Sequence, residues 1–139
     1  MTRWVAEVAS TKNGNQDTEG RSVLHVEDDK TISDIVREIL ESEGWIVETC
    51  SEGIIALENI CGNIHYDLLL VDYDLPGLNG VELVRRTRDM AHRFHMPIIV
   101  LSASPVDADA REAGANVFLQ KPLHISTLLE TIAHVCGKQ

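Results

Sequence analysis

The chain has 139 residues, 44% of them hydrophobic, and a formal net charge of −10. That length suits one domain, and the apolar fraction is enough to fill a single core. The acidic balance argues against sequence-independent binding to nucleic acid or anionic lipid, and no apolar run approaches the roughly eighteen residues of a membrane span, so a cytoplasmic protein is expected.

Residues 1–20 read as a flexible leader, because "STKNGNQDTEG" is rich in turn formers and almost free of large apolar side chains. Within the leader, Trp4, Val5 and Val8 can make one helical turn, with no partner evident for it. A single domain is expected over 21–139. It opens on "SVLHV", a short β-prone run that ends in the acidic trio Glu27, Asp28 and Asp29. Ile32, Ile35, Val36, Ile39 and Leu40 then recur at i, i+3, i+4, i+7 and i+8, one helical stripe that Gly44 is placed to stop.

"WIVETC" predicts a second strand and Ile54–Ile60 a short helix. "YDLLLV" is apolar on both faces, as a strand buried inside a parallel sheet would be, and "PIIVLS" (97–102) repeats that pattern. Between them Val81–Arg88 is helical, and the Arg85, Arg86, Arg88 run is expected on its solvated face. A brief helix over Asp107–Ala113 ends at Gly114. "NVFLQ" is the fifth strand, and Ile125–Val135 the last helix, with Ile125, Leu128, Leu129 and Ile132 facing inward. Strands alternating with helices in this way predict an α/β fold. It is a five-stranded parallel sheet with helices on both faces, a flavodoxin-like doubly wound (βα)5 arrangement.

The three cysteines, Cys50, Cys61 and Cys136, show no CxxC spacing, so reduced and mostly buried thiols are expected. His25 is expected to be a packed core residue, and His92 and His95 to be surface residues.

In such a fold ligands sit beyond the carboxyl ends of the strands. Strand one ends in Glu27 and Asp28, strand three in Asp72, strand four in Ser102 and strand five in Lys121. Each alone reads as a helix cap or a solvated charge; all at one edge, they do not. Clustered carboxylates repel unless a cation is present, and an oxygen-only ligand set points to a hard divalent ion, Mg²⁺ above all. A Lys and a Ser beside it suit phosphoryl oxygens, and an aspartyl carboxylate can accept a phosphoryl group covalently.

Four motifs, "VLHVEDD", "LLLVDYDLPGLNG", "PIIVLSA" and "GANVFLQKP", stand in one order and spacing. With them the chain resembles the receiver domain of bacterial two-component response regulators, over residues 21 to about 137. The resemblance implies that Asp72 is the phosphoacceptor, and that Glu27, Asp28, Asp72 and the backbone carbonyl of Asp74 hold the Mg²⁺. Ser102 would be the switch hydroxyl, Lys121 the phosphate-binding cation, and Phe118 the aromatic whose rotamer follows phosphorylation. It also implies a cis Lys121–Pro122 peptide, and a sensor histidine kinase or phosphotransfer protein as partner. A domain of this kind is not an enzyme and promotes only its own phosphorylation and dephosphorylation. No output domain is contained in these 139 residues, so output through contact with another protein is expected unless they belong to a longer regulator.

Two features depart from the family pattern. The stretch from Ser102 to Gly114 is short by about one helical turn, so the fourth helix should be short or distorted. That weakens the helix 4–strand 5–helix 5 face, which would serve a homodimer. Phe118 stands where tyrosine is commoner. Two other readings remain at this point: a receiver-like binding module that is never phosphorylated, and a haloacid-dehalogenase-type phosphatase built on the Asp72–Asp74 pair.

Overall fold

Strands that are apolar on both faces belong at the centre of a sheet, and two of them set this one. The computed structural model of the chain describes residues 20–137; residues 1–19 of the expected leader lie outside the described residues. Five parallel strands, β1 (Ser22–Val26), β2 (Ile46–Cys50), β3 (Leu68–Asp72), β4 (Ile98–Ser102) and β5 (Val117–Gln120), form one sheet in the order β2-β1-β3-β4-β5. Every residue of β3 and β4 is buried, whereas β2 and β5 form the edges.

Five helices cover the faces: α1 (Lys30–Ser42), α2 (Gly53–Cys61), α3 (Gly80–Arg88), α4 (Asp107–Ala113) and α5 (Ile125–Val135). The alternation of strand side chains divides the core in two. Leu24, Val26, Leu69, Val71, Ile98 and Val100 pack against α2, α3 and α4. Val23, Leu68, Leu70, Ile99 and Leu101 pack against α1 and α5. The expected doubly wound fold is the one observed. None of the helices among the described residues is long and apolar enough to cross a membrane.

Helix boundaries follow local chemistry. Asp29 caps α1 by accepting the Ile32 N–H at 3.1 Å, and Asn79 caps α3 by accepting the Glu82 N–H at 2.9 Å. Helix α4 is only seven residues long, as its spacing required. It stops at Gly114, whose φ of 116° is open to glycine and strained for other residues. A short 3₁₀ turn, Ala91–Arg93, was not expected.

Four expectations need correction. Ile35 and Ile125 are half exposed rather than inward. The buried face of α1 is Ser33, Val36 and Leu40, because the sheet covers a narrower arc than the apolar stripe spans. Cys61 is exposed and Cys136 partly so; only Cys50 of the three thiols is buried. Arg88 does not share the solvated face of Arg85 and Arg86, which pair with Glu82.

Arg88 instead folds back under the sheet. Its guanidinium donates to the carbonyls of Gly114 (2.9 Å), Arg93 (3.2 Å), Phe94 (3.0 Å) and Met96 (2.8 Å), and to Asn116 Oδ1 (3.0 Å). One planar fork thus ties two connections together, the one before β4 and the one after α4. Arg88→Ala is expected to cost about 2–3 kcal/mol in urea unfolding, since the carbonyls it serves lose a charged donor. Arg88→Lys should recover less than half of that, having one point donor in place of the fork.

Candidate functional site

The carboxyl ends of β1, β3, β4 and β5 bring the expected side chains to one edge. Asp72 closes β3 and is 2% exposed; Glu27 follows β1 and is 3% exposed. Ser102 closes β4 and is fully buried. Lys121 follows β5, joined to Pro122 by a cis peptide bond, as the resemblance implied.

The acidic trio separates into three tasks. Glu27 turns inward, Asp28 is exposed, and Asp29 is committed to capping α1. Glu27, Asp28 and Asp72 can each bring one oxygen within 4.8 Å of the others. Asp74 lies on the exposed loop two residues past Asp72.

Lys121 is the cation facing this group. Its ammonium donates to Glu27 Oε1 at 3.3 Å and lies 2.8 Å from Asp72 Oδ1. The latter approach is off the direction a hydrogen bond requires, so the contact is an ion pair and Oδ1 has no hydrogen-bond donor among the described residues. Burial pushes Asp72 above the usual carboxylate range; Lys121 opposes the shift, and Asp74 and Asp28 add to it. Burial likewise raises Glu27, with the charge of Asp72 adding and Lys121 opposing. For Lys121, burial acts downward but the two carboxylates outweigh it, so the ammonium is held more firmly than usual.

One ammonium is too little charge for three carboxylates. The all-oxygen donor set and the undonated Asp72 Oδ1 fit a hard divalent cation such as Mg²⁺. The pocket can therefore hold such a cation, and it presents a buried carboxylate oxygen beside an ammonium.

The loop after β3 is set by close packing. A side chain on Gly80 would overlap the backbone oxygen of Asp72 and come within 2.9 Å of Tyr73 Cα. The start of α3 thus presses on the Asp72 backbone, and the Gly80 N–H donates to the Tyr73 carbonyl at 3.0 Å. Gly53, at the head of α2, makes room for the Leu78 carbonyl in the same way. The sequence reading missed it; the signal was a glycine heading a helix with no cap side chain.

Ser102 Oγ accepts the Ser104 N–H at 2.9 Å, which turns the chain sharply after β4. Phe118, on the edge strand β5, is half-buried against the core under α2, α3 and α4. His25 is fully buried, and His92 and His95 are exposed.

The family model for the response regulator receiver domain matches residues 23–133. The chain belongs to the response regulator receiver domain family. This receiver domain is 28% identical over 120 residues to the polar-differentiation response regulator DivK of Brucella ovis, a match covering 84% of this chain and 97% of that protein. It is 37% identical over 116 residues to the transcriptional regulatory protein CseB of Streptomyces coelicolor, covering 81% of this chain and 48% of that protein. Among solved structures it is similar to the receiver domain of a sensor histidine kinase from Pseudomonas aeruginosa, which holds a magnesium ion coordinated in its active-site cleft. That likeness has a TM-score of 0.78 and 29% identity, and covers 85% of this chain and 98% of the other.

Proposed function

We propose that this receiver domain takes a phosphoryl group onto Asp72 from a histidine kinase or phosphotransfer protein, with Mg²⁺ bound, and signals through the change that follows. The observation that carries this reading is the Lys121 ammonium 2.8 Å from the buried carboxylate of Asp72, beside Glu27 and Asp28.

An Asp72 carboxylate oxygen attacks phosphorus, and the bond to the donor's leaving group breaks on the opposite side. Lys121 holds one phosphoryl oxygen as charge is transferred. The Ser102 hydroxyl turns from its local loop toward another, and the Phe118 ring follows into the space released. Glu27, Asp28, Asp72 and the Asp74 carbonyl would hold the Mg²⁺, which would supply the charge that offsets the crowded carboxylates and phosphoryl oxygens. The domain is a signalling phosphoacceptor and not an enzyme acting on separate substrates.

Incubation with acetyl phosphate tests this. The expected label requires Mg²⁺, disappears with EDTA and is released by hydroxylamine, as an acyl phosphate is. A hydroxylamine-stable label, or none at all, overturns the reading. Binding of Mg²⁺ alone, at about 100 times its Kd, should add roughly 2.7 kcal/mol to stability.

A further inference from the structure

The amino-terminal edge of the sheet, at the far end from Asp72, holds a cavity of about 350 Å³. Its walls come from four separate stretches of chain. Arg21 precedes β1, His65 and Asp67 precede β3, Arg93 and His95 precede β4, and Cys136 follows α5. Phosphoryl chemistry at Asp72 makes no use of it.

Two guanidinium groups line this cavity with donors to spare. Arg93 is only 4% exposed. Its Nε donates to the Ile60 carbonyl at 3.0 Å, and its Nη2 to the Gly62 and Ile64 carbonyls at 3.2 and 2.6 Å. The guanidinium carbon lies 5.2 Å from the centre of the Tyr66 ring. These contacts fix the plane of the fork, yet Nη1 has no acceptor among the described residues. A charged group so nearly buried normally has every donor matched. Arg21 donates from Nη1 to the Cys136 carbonyl at 3.3 Å, and its Nε and Nη2 have no acceptor among the described residues.

The carboxylate in the same walls is already engaged. Asp67 accepts the Ser22 N–H at 2.8 Å on Oδ2 and pairs with His65 Nε2 at 2.8 Å on Oδ1. Arg21 and Arg93 thus outweigh Asp67 in charge, within a chain whose formal net charge is −10. A pocket of inverted sign in an acidic protein concentrates small anions.

The donors also select the kind of anion. A guanidinium offers paired N–H groups at the spacing of phosphate or carboxylate oxygens. Two forks reaching in from different walls suit oxygens that point several ways, as those of a tetrahedral phosphoryl group do. The cavity, about 350 Å³, is of the size that holds a compact small molecule.

We propose that this cavity binds a small phosphate-bearing molecule between Arg21 and Arg93. Bound there, the ligand joins the lead-ins of β1, β3 and β4 to the end of α5.

The test is NMR of the full chain in EDTA, with inorganic pyrophosphate titrated at constant ionic strength. Without metal, the Asp72 pocket sets three carboxylates against one ammonium and repels anions, so the two edges of the sheet are told apart. Saturable shifts are expected at the Arg21 and Ala91 amides and the Arg93 side-chain N–H, while Ser102 and Lys121 stay in place. Arg21→Gln, checked as folded from its spectrum, should bind about tenfold more weakly, because a charged donor is lost. Lys121→Gln should bind as the wild type does, and malonate, whose carboxylates are planar, should bind more weakly than pyrophosphate. Shifts that never saturate, or that centre on Ser102 and Lys121, overturn the proposal. So does an Arg21→Gln variant that binds as tightly as wild type, or malonate that matches pyrophosphate.

Discussion

Asp72→Asn abolishes labelling by acetyl phosphate and, at neutral pH, raises the melting temperature of the metal-free protein. The amide is nearly the same shape as the carboxylate but is a poor nucleophile, so chemistry is lost without loss of packing. The stability gain follows from the environment. Burial, with Asp74 and Asp28 adding, raises the Asp72 pKa in the folded state despite Lys121. An acid whose folded pKa is raised is destabilising when ionised, and its cost is relieved as pH falls through that folded value. Removing the charge removes the cost, although Lys121 then pairs with Glu27 alone. With saturating Mg²⁺ the order reverses, because the wild type gains more from the ion. Thermal melts with EDTA and with Mg²⁺, set beside intact-protein mass spectra, read both effects. A variant that still labels, or that melts below wild type in EDTA, sinks the assignment of Asp72.

His25 makes the fold acid-sensitive by a separate route. Its ring is fully buried in β1, and neither nitrogen has a hydrogen-bond partner among the described residues. Burial, then the charges of Lys121 and Arg37, lowers its pKa from 6.5 to about 4. Between those values the unfolded chain takes up a proton that the folded chain refuses, so stability falls as pH falls. Above pH 6.5 the group contributes no slope, and below about 4 the loss levels off near 3 kcal/mol, at about 1.4 kcal/mol per unit. The carboxylates of Glu27 and Asp72 act in the opposite direction, since their folded pKa values are raised. The difference between wild type and His25→Leu at each pH isolates the histidine. Urea unfolding should give a difference that widens from pH 6.5 to 4, with the leucine variant already about 1–2 kcal/mol more stable at neutral pH, where it removes an unsatisfied polar ring. A difference that does not change with pH would count against the buried, neutral histidine.

Much of this molecule could be read before its structure. Leu68–Asp72 and Ile98–Ser102 announced central strands because both faces had to be apolar, and both proved wholly buried. The seven residues of α4 followed from the distance between Ser102 and Gly114. The meeting of Asp72 with Lys121 was legible because parallel strands deliver their carboxyl ends to one edge.

What stayed hidden was the direction of single side chains. Arg85, Arg86 and Arg88 look alike in sequence, yet the carbonyls that draw Arg88 inward come from loops before β4 and after α4. The apolar stripes of α1 and α5 overstated burial, since a stripe can be wider than the surface that covers it. Likewise, only the fold separates Glu27, turned toward Lys121, from Asp29, committed to a cap.

The strand order β2-β1-β3-β4-β5 also bears on how the chain assembles. Lys121 sits after the last strand to be synthesised, at the sheet's far edge, 94 residues from Glu27. A chain that pairs its early strands first brings Glu27 and Asp72 side by side before any ammonium can reach them. A half-built sheet therefore carries a concentrated negative charge that only β5 relieves. Such repulsion disfavours partly folded forms and sharpens cooperativity, so the arrival of Lys121 acts as a late electrostatic latch on the native state.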